Sequence, residues 1–130
     1  MITGSCHCGK VKWKFDETPE SATACNCTVC RRYGVLWGYD YDGEKIHVSG
    51  PTQVYIRGKT TGFHFCPTCG CVAYWRALEP NDQKQWRIAV NMRLIDDPGK
   101  IEHLLIDHFD GLDTFTDLPR DGKCVRDYWF

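Results

Sequence analysis

Eight of the nine cysteines in this 130-residue chain fall into three tight clusters. They read Cys6-His7-Cys8, Cys25-Asn26-Cys27-Thr28-Val29-Cys30 and Cys66-Pro67-Thr68-Cys69-Gly70-Cys71. Thiols one to three residues apart converge easily on one soft ion and are poor neighbours for disulfides across a fold. The odd count excludes complete disulfide pairing in any case. The first residues, Met1-Ile2-Thr3-Gly4-Ser5, carry no basic region and no apolar run, so nothing there reads as a signal peptide. The expectation is a reducing, cytoplasmic setting in which the thiols persist as metal ligands. A chain of this size buries only a modest core, and metal clips help to stabilise it.

The other bulk properties mainly exclude. A formal net charge of -1 provides no global field for nucleic acid or an anionic membrane. Lys10, Lys12 and Lys14 read as one solvated strand face rather than a basic block. No apolar stretch of about 18 residues exists to span a bilayer. With no internal repeat and no linker, residues 1–130 read as a single zinc-binding domain.

Strand signals dominate. Val11, Trp13 and Phe15 alternate with lysines. Ile46 and Val48 alternate before Ser49-Gly50-Pro51, and Val54 and Ile56 lead into Arg57-Gly58. Phe63 and Phe65 flank His64 and deliver the chain to Cys66. Val72 and Tyr74 start a returning strand, and Trp86, Ile88 and Val90 form another. Ile101, Leu104, Leu105 and Ile106 give a last, less regular candidate. Thr28 to Tyr33 can form a helical turn stopped by Gly34. The segment from Asp107 to Asp121, with Gly111 and Pro119, reads as loop. The fold expected is mainly β, built of short strands pinned by metal knuckles.

Spacing divides the cysteines into two sites. Cys66-Pro67-Thr68-Cys69-Gly70 has zinc-knuckle spacing and supplies two thiolates. A closed tetrahedral site needs two more, and Cys6 and Cys8 are the natural donors. Such a tie across the sequence contributes folding energy. Cys25, Cys27 and Cys30 offer three ligands by themselves, the donor count of a catalytic zinc whose fourth position takes water or substrate. A second reading closes this site with His64, His103 or Cys124. In a third, Cys71 replaces a member of the first site, although it also reads as a small hydrophobe in the sheet. Cys124 reads as a buried or free thiol.

The segments Gly4-Ser5-Cys6-His7-Cys8-Gly9, Cys25-Asn26-Cys27-Thr28-Val29-Cys30-Arg31-Arg32 and Phe65-Cys66-Pro67-Thr68-Cys69-Gly70 together resemble the glutathione-dependent formaldehyde-activating enzyme family, which includes proteins similar to centromere protein V. The three motifs occur in the family's order. The resemblance implies an Mss4-like fold of coiled antiparallel sheets. It also implies two zinc ions per chain. One is structural, on Cys6, Cys8, Cys66 and Cys69; the other is catalytic, on Cys25, Cys27 and Cys30. The implied activity is that of a carbon–sulfur lyase joining glutathione and formaldehyde as S-hydroxymethylglutathione.

In that reading the zinc of the middle cluster holds a small thiol as thiolate for attack on an aldehyde carbonyl. Arg31 or Arg32 can pair with a substrate carboxylate, or lie solvated on the short helix. His64 can act as an acid near the site, or pack elsewhere in its strand. His7, between two ligands, points away from their metal. Trp37, Tyr39 and Tyr41 either line a pocket over the zinc or serve as plain packing. The competing function class is a zinc-stabilised binding module without catalysis.

Overall fold

The computed structural model describes residues 1–129 and is mainly β. A three-stranded sheet has the order β1 (Ile2–Ser5), β2 (Lys12–Phe15), β5 (Ile46–Ser49). An eight-stranded sheet carries the rest. Its members in chain order are β3 (Ser21–Cys25), β4 (Trp37–Tyr41), β6 (Gln53–Arg57), β7 (Thr61–Phe65), β8 (Val72–Ala77), β9 (Arg87–Asn91), β10 (Leu105–Phe109) and β11 (Asp117–Leu118). Their spatial order is β11-β10-β3-β4-β9-β8-β7-β6. Every pairing is antiparallel except that of β10 with β3. One short helix, α1 (Thr28–Tyr33), follows β3 and is stopped by Gly34 in the left-handed conformation.

The period-two alternation of the strands gives the large sheet two different faces. Ala22, Tyr74, Ile88, Val90 and Ile106 point to one side. They meet Ile2, Trp13, Phe15 and Ile46 of the small sheet in the main core. Trp37, Phe63 and Ala89 point to the other side, with Tyr39 and Trp75 packed against them. This second face gathers Cys25, Cys27 and Cys30 into the same cluster. Cross-strand registers Tyr39↔Ala89, Trp75↔Ala89 and Phe63↔Trp75 align its residues in one row. The large sheet therefore has a second packed face of its own, apart from the core.

One expectation is corrected. The segment read as loop from Asp107 onward contains the end of β10 and all of β11. Strand β10 lies parallel to β3, with Phe109 level with Cys25. A parallel partner some eighty residues away leaves no local hairpin signal.

Candidate metal centres

The first centre is made by two similar turns far apart in the chain, at residues 6–9 and 66–70. In Cys6-His7-Cys8-Gly9 the Gly9 N–H donates to the Cys6 carbonyl at 2.9 Å, and the Cys6 N–H donates to Val11 at 2.9 Å. In the second turn Gly70 donates to the Cys66 carbonyl at 2.8 Å and Cys66 to Cys71 at 3.0 Å. Gly9 and Gly70 have φ of 81° and 80°, a left-handed geometry that costs glycine little. The backbone then aims N–H groups at sulfur. Val11 donates to Cys6 Sγ at 3.2 Å, and Thr68 and Cys69 donate to Cys66 Sγ at 3.4 and 3.5 Å. The backbone N–H groups of Cys71 and Cys8 bring the Cys69 thiol down to about 5.

The four sulfurs of Cys6, Cys8, Cys66 and Cys69 lie within 4.8 Å of one another. Cys6 to Cys8 is 3.6 Å and Cys8 to Cys66 is 3.5 Å. Sulfurs bound about 2.3 Å from a tetrahedral zinc sit about 3.8 Å apart. A disulfide requires about 2.05 Å. The donor set can hold a metal ion and fits a closed four-thiolate site.

The second centre sits where β3 runs into α1. Cys25 ends the strand, Cys27 caps the helix and Cys30 lies one turn in. A strand-to-helix turn thus brings CxCxxC onto one point. The three sulfurs lie within 4.8 Å of one another, and the described residues bring no fourth Cys, His, Asp or Glu into the group. His64, His103 and Cys124 all lie outside it. The Cys30 N–H donates to Cys27 Sγ at 3.3 Å, and the buried Trp37 indole N–H donates to Cys30 Sγ at 3.3 Å. The Cys30 thiol and the backbone N–H groups of Cys27 and Gly111 hold the Cys25 thiol down to about 5 against its burial. Cys30 is pushed up by its donation to Cys25 and by burial. Cys25 therefore carries negative charge at neutral pH and shares a proton with Cys30, which suits a cation placed between them.

A cavity of about 140 Å³ opens directly over these thiols. Its walls include Trp37, Tyr39, Phe63, Trp75, Phe109 and Phe115. Burial raises the Tyr39 hydroxyl well above the usual tyrosine range, so it keeps its proton. Gly111 passes so close that a Cβ there would lie 2.6 Å from Cys25 Sγ.

Other singled-out residues distribute unevenly. Trp37 and Tyr39 line the cavity, whereas Tyr41 sits beneath the Arg87 guanidinium. Arg31 is exposed, and Arg32 donates to the Thr28 carbonyl at 2.9 Å. His64 belongs to the opposite side of β7. Its Nδ1 is 2.8 Å from Thr52 Oγ1 and its ring stacks on Tyr74. Cys71 packs partly against the main core, and the half-buried Cys124 thiol donates to Asp127 at 3.4 Å. His7 is exposed. Phe109, Gly111, Phe115, Trp75 and Arg57 border the cavity without having been singled out in the sequence. In the sequence Gly111 marked only a loop, with no sign of a close backbone approach.

Comparison with known proteins bears on the family and the fold. A protein of Halomonas elongata, named as a candidate glutathione-dependent formaldehyde-activating enzyme, is 32% identical over 87 residues. That match covers 58% of this chain and 55% of the relative, so the chain spans about half the relative's length. A crystal structure of a Rhodobacter sphaeroides protein superposes with a TM-score of 0.60 at 22% identity, covering 80% of this chain and 98% of that one. It supports the fold alone. The glutathione-dependent formaldehyde-activating enzyme profile matches residues 1–106, which include all seven clustered metal-site thiols but not Phe109, Gly111 or Phe115. By that match, over most of its length, the chain belongs to the glutathione-dependent formaldehyde-activating enzyme family.

Proposed function

We propose that this chain is a zinc-dependent carbon–sulfur lyase that adds a small thiol, such as glutathione, to formaldehyde or a similar aldehyde. The observation that carries this reading is a three-thiol cluster at the base of an aromatic cavity, with no fourth protein donor among the described residues. The four-thiol cluster supports the working face as a structural zinc site, giving two ions per chain.

Zinc on Cys25, Cys27 and Cys30 would supply a positive charge that keeps an incoming thiol ionised at neutral pH. The protein's own groups do the rest. Trp37 and the Cys30 N–H hold two of the sulfurs in fixed directions. Phe63, Trp75, Phe109 and Phe115 give the cavity apolar walls around the sulfur. The substrate sulfur forms a bond to the carbonyl carbon, and the C=O π pair moves onto oxygen. That oxygen then takes a proton, for which the Tyr39 hydroxyl in the cavity wall is a candidate donor. The aldehyde is small, so positioning supplies most of the benefit.

The experiment is titration of zinc-loaded protein with glutathione, followed by calorimetry and by sulfur coordination in zinc X-ray absorption. Binding is expected, with four sulfurs around the second ion in its presence, and both signals vanish in Cys27→Ser. Saturation of that ion by polypeptide ligands alone removes the enzymatic reading. A second reading, a zinc-stabilised binding module, is favoured by the exposed edge strand β6, where Val54, Tyr55 and Ile56 all face solvent. It predicts two equally inert ions and no thiol binding.

A further inference from the structure

Strand β6 (Gln53–Arg57) ends the eight-stranded sheet on one side, and no described strand pairs with its outer edge. All five of its residues are exposed. Val54, Tyr55 and Ile56 are 45%, 53% and 56% exposed, although side chains of this kind favour strands by packing against neighbours. The register on β7 runs without a shift from Gln53↔Phe65 to Arg57↔Thr61, so the outer N–H and C=O groups form an uninterrupted row.

The opposite edge of the same sheet is managed differently. Strand β11 has two residues, Asp117 and Leu118, and one of them is charged. Short length, charge, proline and bulges are the usual means of keeping an edge from pairing. In β6 the one charge, Arg57, is the last residue, and Pro51 lies outside the strand. The chain does not cover β6 itself. Tyr55 stands level with Phe63, on the side of the sheet that holds the three-thiol cavity, and Val54 and Ile56 point to the other side. Ile56 stands opposite Gly62, which gives it no side chain to pack on. Val54 leans over that glycine, since a Cβ at Gly62 would lie 2.9 Å from Val54 Cγ1. The edge is therefore apolar on both faces and has unpaired backbone groups between them.

The sequence Gln53-Val54-Tyr55-Ile56-Arg57 is self-complementary about its centre. Laid antiparallel on a second copy, it sets Tyr55 against Tyr55, Val54 against Ile56 and Gln53 against Arg57. β-Branched side chains then meet on one face, and aromatic rings and a cation–amide pair on the other, with no like charges opposed. Whichever alternate residues direct N–H and C=O outward, this register pairs each of them with an outward-directed counterpart. An unrelated extended peptide would reach the same edge without that matching. The formal net charge of -1 leaves little repulsion between copies.

We propose that β6 is a homodimer interface, at which two chains join their large sheets edge to edge in an antiparallel pair centred on Tyr55. The pairing has a consequence for the cavity. Arg57 borders it and, with Arg32, Tyr33 and Tyr55, lines a groove of about 450 Å³ between α1 and β6. In the dimer Gln53 of the second copy stands beside Arg57, so both chains form the outer wall of that groove. The interface rests on the strand and is independent of the thiol reading of the cavity.

The test is sedimentation equilibrium of the zinc-loaded full chain over a range of concentrations. Wild type is expected to approach twice the 15.0 kDa of one chain. Tyr55→Lys sets two ammonium groups against each other across the two-fold axis and should weaken the dimer about ten-fold or more. Gln53→Glu sets a carboxylate opposite Arg57 at both symmetry-related places. It should tighten the dimer about three-fold at low salt, a gain that misfolding cannot mimic. A wild type that stays monomeric at every concentration overturns the proposal, including one that covers β6 only with a different protein. A dimer that neither substitution alters overturns it as well. Weakening in Tyr55→Lys without the gain in Gln53→Glu overturns the register centred on Tyr55.

Discussion

The indole N–H of Trp37 donates to Cys30 Sγ at 3.3 Å from a side chain only 1% exposed. A strand residue of the working face thus orients one donor of the three-thiol cluster. Partners that hydrogen-bond a metal ligand commonly set about ten-fold or more of the metal affinity. Trp37→Phe keeps most of the apolar wall and removes the N–H. The middle site should lose about ten-fold in zinc affinity in competition with a chromophoric chelator, while the four-thiol site is unchanged. Equal weakening of both sites would show general loosening in place of a directed hydrogen bond.

The four-thiol cluster joins residues 6 and 8 to residues 66 and 69 and stands beside the main core. Its ion is expected to contribute folding energy directly. Cys69→Ser should therefore destabilise the domain by roughly several kcal/mol in urea, with loss of near-ultraviolet signal from the buried Trp13. Cys27→Ser, altering the other centre, should remain folded. If the two variants unfold alike, the division into structural and working sites is wrong.

What could be read from the sequence follows from how local each signal is. The knuckle glycines, the Thr28–Tyr33 turn and the Phe63/Phe65 alternation all lie within a few residues of the chemistry they serve. They identified both cysteine groups and the mainly β class. Trp37 and Tyr39 could be named as pocket candidates because they sit near the cluster along the chain. The C-terminal wall could not. Phe109 and Gly111 reach Cys25 through a parallel pairing of β10 with β3, and only the folded sheet supplies that register. Which face His64 occupies depended on the same register, because a strand residue changes sides with one step.

His64 offers a test of its placement through pH. Burial lowers its pKa below the usual 6.5, assisted by the positive charge of Arg76, while Asp42 opposes the shift. The folded state therefore binds fewer protons than the unfolded state around pH 6.5. Stability is full above about pH 7 and falls as pH drops through the unfolded histidine's range. His64→Gln can retain a hydrogen bond to Thr52 and cannot titrate. Urea midpoints between pH 7.5 and 5.5 should decline less in His64→Gln than in wild type. An identical decline would mean that His64 is not held neutral against Tyr74.

Gly111 connects the C-terminal segment to the metal loop. Asn26, between Cys25 and Cys27, donates to Asp110 at 3.2 Å and accepts from the Leu112 N–H at 3.0 Å. Asp110 also accepts from the backbone of Asp113 and Thr114, which pins the turn that carries Phe115 to the cavity wall. Within this arrangement the Gly111 backbone lies against sulfur. An added Cβ would stand 2.6 Å from Cys25 Sγ and 3.1 Å from Cys27 Cβ. Real contacts of that kind do not occur, so in Gly111→Ala either the turn or the cluster must move. The knuckle thiols and the main core lie elsewhere and should keep the domain folded. Gly111→Ala should then purify with close to one zinc per chain instead of two, show near-wild-type urea stability and fail to bind glutathione. Two tightly held ions with unaltered glutathione affinity would mean that this turn does not form a wall of the working site.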